Sequence, residues 1–266
     1  MKNTLLISDS PLYSSLRGAE SNDSIMVEEL DCDFLTCSEF NMLRPKYEKY
    51  IVSNFASLSQ PAKDFLLNKN YVFCAHDFLL CPTRNPGLYP DFKVFQSDLI
   101  NVDFLKNSKK IFCQSLFQAE IFKINGFENT HSWGGNLWRQ ESIEKMVKLG
   151  KNPKNGRMAV IDDPYKGTDK SVEFCRKLNL PVDKLPKMAY DQFIETLSRF
   201  SGFCLIPEII ETFNRILIEA KMMNLLVLTN QHCGAFNEEC FQFQGEELGY
   251  KMNEKRREII NILTEF

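Results

Sequence analysis

Short apolar runs separated by amphipathic stretches recur along the whole chain. This alternation predicts layered α/β structure built on parallel sheets. In the first half the strand-like runs are Thr4–Ser8, Asp33–Thr36, Tyr71–Ala75 and Lys110–Cys113. Helical spacing is read around Ser24–Leu30, Pro45–Asn54, Gln60–Leu67 and Leu116–Asn125. A polar-faced helix over Arg139–Leu149, closed by Gly150, leads into Lys151-Asn-Pro-Lys-Asn-Gly156, the best linker in the chain. It divides the sequence into an expected N-terminal α/β domain over 1–150 and a C-terminal one over 151–266. The second part begins with a strand over Met158–Asp162 and a turn at Pro164-Tyr-Lys166-Gly167. Helices over about Asp169–Leu178 and Ala189–Phe200 follow, then strand Gly202–Ile206, a further helix and strand Leu225–Thr229. Residues Asn253–Phe266 suit an amphipathic helix with Ile259, Ile260 and Leu263 on one side.

Composition narrows the class. At 266 residues, 44% hydrophobic and 25% charged, the chain is long enough for one large or two small domains with a real core. A net charge of −3 argues against a general nucleic-acid binder, which needs a basic face. Nine cysteines stand mostly in apolar runs such as Val72-Phe-Cys74-Ala, with no Cys-x2-Cys pair, which suggests reduced thiols in a cytoplasmic protein. His232-Cys233 and Cys240 are read as structural rather than as metal ligands. The apolar run after Met1 is too short for a signal peptide, and no run is long enough to span a membrane.

The stretch richest in chemistry is Pro207-Glu-Ile-Ile-Glu211-Thr-Phe-Asn-Arg215-Ile-Leu-Ile-Glu219-Ala. It reads as a strand end, a turn and a helix. Helical side chains lean toward the N-terminus, so Glu219 leans toward the end where Glu211 sits. That helix end offers unpaired N–H groups and partial positive charge to an anion. Two hydroxyl-accepting carboxylates around it describe a sugar-nucleotide pocket. The spacing alone also fits an ordinary solvated or capping glutamate pair. Lys166-Gly167, at a strand-to-helix turn, offers amides and an ammonium to phosphate, or is simply a turn. Arg215 stands in the first helical turn, where the dipole disfavours a cation. Either an anion lies in front of it, or it pairs with Glu208 or Glu211.

The order of proline, Glu211, aromatic, short helix, Glu219-Ala220 and apolar strand resembles the Glu-x7-Glu signature of glycosyltransferase family 4. The resemblance is tight over roughly residues 202–238 and looser elsewhere. It implies a GT-B architecture, two Rossmann-like domains facing each other across a cleft. It also implies sugar transfer from a nucleotide-diphosphate donor to a hydroxyl acceptor (glycan, lipid or protein), with retention of configuration. In these terms Glu211 contacts the donor sugar, Glu219 the ribose and Lys166 the diphosphate. Arg215, Gly167 and the backbone at Thr212, Phe213 and Asn214 assist with the leaving phosphate. His76, at the end of strand Tyr71–Ala75, lines the donor sugar. Gly18, in Arg17-Gly18-Ala19-Glu20, is similar to the glycine loop that opens many members. Gln114-Ser115 and Gly134-Gly135-Asn136 would face the cleft, and the C-terminal helix would cross back to the first domain or pack on its own.

Some features depart from the family. Ile161 stands where members often carry an arginine before the lysine, and Asn214-Arg215 replaces the more usual glycine and aliphatic pair. No cofactor is expected, and no metal where cations and amides neutralise the diphosphate; Asp31-Cys-Asp33 has Asp-x-Asp spacing but precedes a strand rather than ending one. Alternatives on the same architecture are a sugar-nucleotide epimerase, a phosphorylase, a non-catalytic nucleotide-sugar-binding module or a transferase acting on DNA bases.

Overall fold

The computed structural model describes residues 2–12 and 18–266, so Arg17 of the expected glycine loop lies outside the described residues. Contacts divide the chain into two compact units. One runs to Trp133 and takes up Arg257–Phe266, and the other is Gly134–Arg256.

The first unit carries β1 (Thr4–Ser8), α1 (Gly18–Glu29), β2 (Asp33–Thr36), α2 (Cys37–Leu43), β3 (Lys49–Val52) and α3 (Gln60–Leu67). It continues through β4 (Tyr71–Ala75), α4 (Val102–Asn107), β5 (Ile111–Cys113), α5 (Leu116–Ile124) and β6 (Thr130–Ser132). Its six strands form one sheet in the order β2-β1-β3-β4-β5-β6, every pair parallel. The central strands are covered on both faces, so β4 is buried at every position and reads as a continuous apolar run. Thr36 ends β2 and opens α2 through a capping box with Glu39. The expected helix over Pro45–Asn54 is instead β3, an inner strand. Charged residues at Lys46, Glu48 and Lys49 imitate a helical period there, but the aromatic and β-branched run Tyr50-Ile51-Val52 is wholly buried between β1 and β4.

The second unit carries α6 (Gln140–Leu149), β7 (Met158–Ile161), α7 (Thr168–Lys177), β8 (Val182–Leu185), α8 (Tyr190–Leu197), β9 (Gly202–Cys204), α9 (Arg215–Met222), β10 (Leu226–Leu228) and α10 (Gly245–Glu265). Its four strands, again all parallel, run β10-β9-β7-β8. The expected boundary at 150 moves to 134, because α6 packs on α9 and sends Ile143 and Met146 into the core with Leu217 and Met222. The stretch read as a linker is bolted into this unit. The Lys154 ammonium donates to the carbonyls of Ser198 (2.7 Å) and Met223 (3.0 Å), and the Asn155 amide donates to Arg199 (2.9 Å). The end of α10 joins the first unit, where Lys49 donates to the Thr264 carbonyl (3.2 Å) and lies over the Phe266 ring.

Both sheets are doubly wound, and each reverses direction once. The reversal lies between β1 and β3 in the first sheet and between β7 and β9 in the second. Ligands of open α/β sheets bind outside the carboxyl ends of the strands at such switch points. Among the described residues no helix is long and apolar enough to cross a membrane.

Candidate active site

The switch point of the second sheet is lined by the loops that leave β7 and β9. After β7 the chain makes a turn stitched by Asp163, whose carboxylate accepts from the Tyr165 amide (3.0 Å). Thr168 tightens it, accepting from the Asp163 amide (2.8 Å) and donating to the Ile161 carbonyl (2.7 Å). Gly167 then adopts φ 72°, and a Cβ there would collide with the Ile206 carbonyl. Only glycine meets both conditions. The turn leaves Lys166 half-exposed, with its ammonium on the Glu211 carboxylate.

Glu211 comes from the loop after β9. Its amide donates to the His232 carbonyl (2.8 Å), and its own carbonyl accepts from Gly234 (2.9 Å), so its backbone is fixed on both sides. The neighbouring Cys233 thiol is pushed up to about 12, chiefly by burial. Asn214, at φ 70°, precedes α9 and donates from Nδ2 to Glu211 (3.4 Å), while its Oδ1 is buried with no donor. Phe213 is fully buried, and its carbonyl accepts from Ala235 (3.0 Å). Thr212 is half-buried beside them. Lys166, Gly167, Glu211, Thr212, Phe213 and Asn214 therefore assemble at one switch point.

Glu219 lies deeper, only 1% exposed. Its Oε1 accepts from Trp138 Nε1 (2.9 Å) and the Tyr190 hydroxyl (2.8 Å), with Arg215 Nε at 3.6 Å. Its Oε2 is buried and has no donor. Burial first, and the Glu219 charge second, hold the Tyr190 hydroxyl far above the usual phenol range, so it stays a donor. The Arg215 guanidinium stacks 4.5 Å from the Trp138 ring, donates to the Leu137 carbonyl (2.6 Å) and lies against the Glu219 carboxylate. Glu208 pairs with Lys170 (3.4 Å). Trp138 and Tyr190 were not singled out from the sequence. They stand far from Glu219 along the chain, and no spacing rule connects them to it.

In the first unit Gly18 is the first residue of α1. The His76 side chain is 5% exposed, its Nδ1 is 2.7 Å from Gln114 Nε2 and its Nε2 is 3.7 Å from Asp23 Oδ1. Ser115 caps α5 through the Gln118 amide (3.1 Å). Trp133 stacks on Phe112, which makes it a packing residue.

No protein-family model matches the chain, and no curated protein does. Solved structures do. HepE from Anabaena, in complex with UDP and glucose, shares 13% identity over 99% of this chain and 91% of its own, at a TM-score of 0.59. AviGT4, a glycosyltransferase involved in avilamycin A biosynthesis, shares 11% over 96% and 87%, at 0.57. WaaG, a glycosyltransferase involved in lipopolysaccharide biosynthesis, shares 11% over 98% and 94%, at 0.55. The chain has the GT-B fold. At these identities the likeness establishes the GT-B architecture and leaves the chemistry to the site itself. Within that architecture the second unit carries the Lys166–Glu211 pair, and the first carries Asp23, His76 and Gln114.

Proposed function

We propose that the protein transfers a glycosyl group from a nucleotide-diphosphate sugar to a hydroxyl acceptor. The observation that carries this reading is the Lys166–Glu211 pair at the second switch point, with the unpartnered Glu219 Oε2 behind it. A cation and two hydroxyl acceptors are what a diphosphate, a sugar ring and a ribose need. Lys166, aided by the backbone from Thr212 to Asn214, carries the charge that develops on the departing diphosphate. Glu211 accepts from sugar hydroxyls, and Glu219 Oε2 from the ribose. Arg215 holds Glu219, Trp138 and Leu137 together and acts through them. As the anomeric carbon–oxygen bond to phosphate breaks, the acceptor oxygen bonds to that carbon and its proton passes to the departing phosphate.

Support from fold comes from the neighbours, whose bound UDP and stated transferase roles agree with a nucleotide-sugar substrate. The resemblance to family 4 adds retention and metal independence to the proposal. A thermal-shift screen against UDP, GDP, ADP and CMP, followed by their sugar conjugates, tests it. One nucleotide should stabilise the protein, and product analysis should find the sugar on an acceptor with unchanged anomeric configuration in the presence of chelator. Absence of any nucleotide shift overturns the reading. An epimerised sugar, or binding without turnover across a broad acceptor panel, replaces it.

A further inference from the structure

At the amino edge of the first sheet, where its parallel strands begin, cations gather. Arg44 caps the end of α2, Lys46 leads into β3, Lys69 precedes β4, and Lys109 and Lys110 precede β5. Lys106 joins them from the last turn of α4. The three strands concerned are neighbours in the sheet, so the six charges fall on one half of its edge. Contacts tie this half together. Phe65 carries the Lys69 ammonium over its ring (4.9 Å) and meets Phe40 of α2 edge-on. The Phe266 ring faces both Lys49, at 5.7 Å, and Lys109, at 5.9 Å. The Lys109 amide donates to the carbonyl of Tyr71 (2.9 Å), the first residue of β4.

Among the described residues none of the six pairs with a carboxylate, whereas Lys145, Arg157, Lys166 and Lys170 of the second unit each do. Glu48 and Glu265, both exposed, stand near them without pairing to them. The other half of the edge is acidic and already satisfied: Asp31 takes Lys2 (2.9 Å) and Asp33 takes the Tyr47 hydroxyl (2.7 Å). A chain of net charge −3 thus keeps a local positive field at this one place. Exposed apolar side chains stand at the same corner. Helix α2 sends Cys37 and Phe40 into the core but ends in Met42, 73% exposed, and Leu43, 65% exposed, directly before Arg44. Apolar tips set among lysines and an arginine match an anionic lipid surface, whose headgroups meet the charges and whose acyl boundary takes the tips. A nucleic acid would meet the cations and leave Met42 and Leu43 in water.

We propose that this half of the amino edge docks the protein on an anionic lipid bilayer. The six cations lie over the headgroups, and Met42 and Leu43 enter the boundary beneath them. The loops of the first switch point leave the strands at their other end, so the docked sheet keeps its carboxyl edge turned to water. This surface is independent of the glycosyl-transfer reading and stands or falls without it.

Vesicle co-sedimentation of the full chain tests it, with phosphatidylcholine alone and with an equal mixture of phosphatidylcholine and phosphatidylglycerol. Mixed vesicles should carry the protein down, neutral ones should not, and roughly 0.5 M salt should release most of it. Lys109→Glu combined with Lys110→Glu should weaken binding about tenfold or more, and Lys46→Glu with Lys106→Glu serves if that pair fails to fold. Met42→Ser combined with Leu43→Ser should weaken it about fivefold or more and leave the melting temperature unchanged, since both side chains are already in water. Lys148→Glu combined with Lys151→Glu, at exposed cations of the second unit, should bind as wild type does. No binding to mixed vesicles, equal binding in wild type and the edge variants, or an equal loss in the Lys148 and Lys151 control overturns the proposal. A duplex oligonucleotide that displaces the protein from mixed vesicles, with affinity untouched by the serine changes, overturns it in favour of nucleic acid.

Discussion

Glu219→Gln separates what the buried carboxylate does for the fold from what it does for a ligand. The glutamine carbonyl keeps the bonds from Trp138 and Tyr190, so the structural loss is confined to charge. Removing one partner of a buried pair costs about 3–5 kcal/mol when the other charge is stranded. Arg215 is not stranded, since it keeps the Leu137 carbonyl and the Trp138 ring, which brings the cost to about 1–3 kcal/mol. At roughly 2–4 °C per kcal/mol for a chain of this size, the melting temperature should fall by several degrees. Binding should suffer separately. A hydroxyl bonded to a charged acceptor contributes about 1.5–3 kcal/mol, so affinity should fall roughly 10–150-fold. Calorimetric titration with UDP, 2′-deoxy-UDP and 3′-deoxy-UDP reads this directly. Wild type should lose affinity for whichever analogue lacks the bonded hydroxyl, and the variant should lose nothing further on that change. Equal UDP affinity in wild type and variant, within about twofold, would refute the assignment of Oε2 to the ribose.

Lys166→Ala should lower turnover about 100-fold or more, because the cation facing the leaving group is gone. Its melting temperature should stay near wild type, since the ammonium is half-exposed; full activity would show that phosphate charge is met elsewhere. Gly167→Ala should destabilise by at least about 1–2 kcal/mol from the left-handed backbone alone, and more from the Ile206 collision. A melting curve that overlays wild type would refute that turn. Arg157 donates to both Asp183 oxygens at the start of β7 and β8 (2.6 and 2.5 Å) and holds the Asp183 carboxyl below its usual range. Its contribution is therefore present above the ordinary carboxyl range near pH 4 and lost as pH falls through the lowered folded value. Asp183→Asn should cost a small drop in melting temperature at pH 7 that vanishes near pH 2 and in roughly 1 M salt. A drop of equal size under all three conditions would contradict it.

Local patterning carried most of the fold. The strands at Thr4–Ser8, Asp33–Thr36 and Tyr71–Ala75 and the helix over Gln60–Leu67 stand where apolar period and turn residues put them. Failures cluster where tertiary context overrides local pattern. Lys49–Val52 sits among charges that imitate a helix, and its strand state comes from neighbours on both sides. Lys151–Gly156 has linker composition, yet Lys154 finds two carbonyls distant in the chain. The site divides in the same way. Lys166, Gly167 and Glu211 could be read because each marks a turn after a strand. Arg215 was half legible: its odd position at a helix start was visible, but its compensation by Glu219 and the Trp138 ring depends on packing. Asp23 carries no mark in the sequence, and its burial comes from packing alone.

The last stretch of α10 belongs to the unit that begins the chain. During synthesis the first unit must therefore wait, with its six strands already made, until the whole of the second unit has been translated before Thr264 and Phe266 can dock on Lys49. Completion of the earlier-made unit is thus tied to passage of the later one. A premature stop that spares every residue of both switch points would still leave the first-made half unfinished. Truncation damage should surface there, as proteolysis around β3 and β5, while residues 134–256 keep their protection.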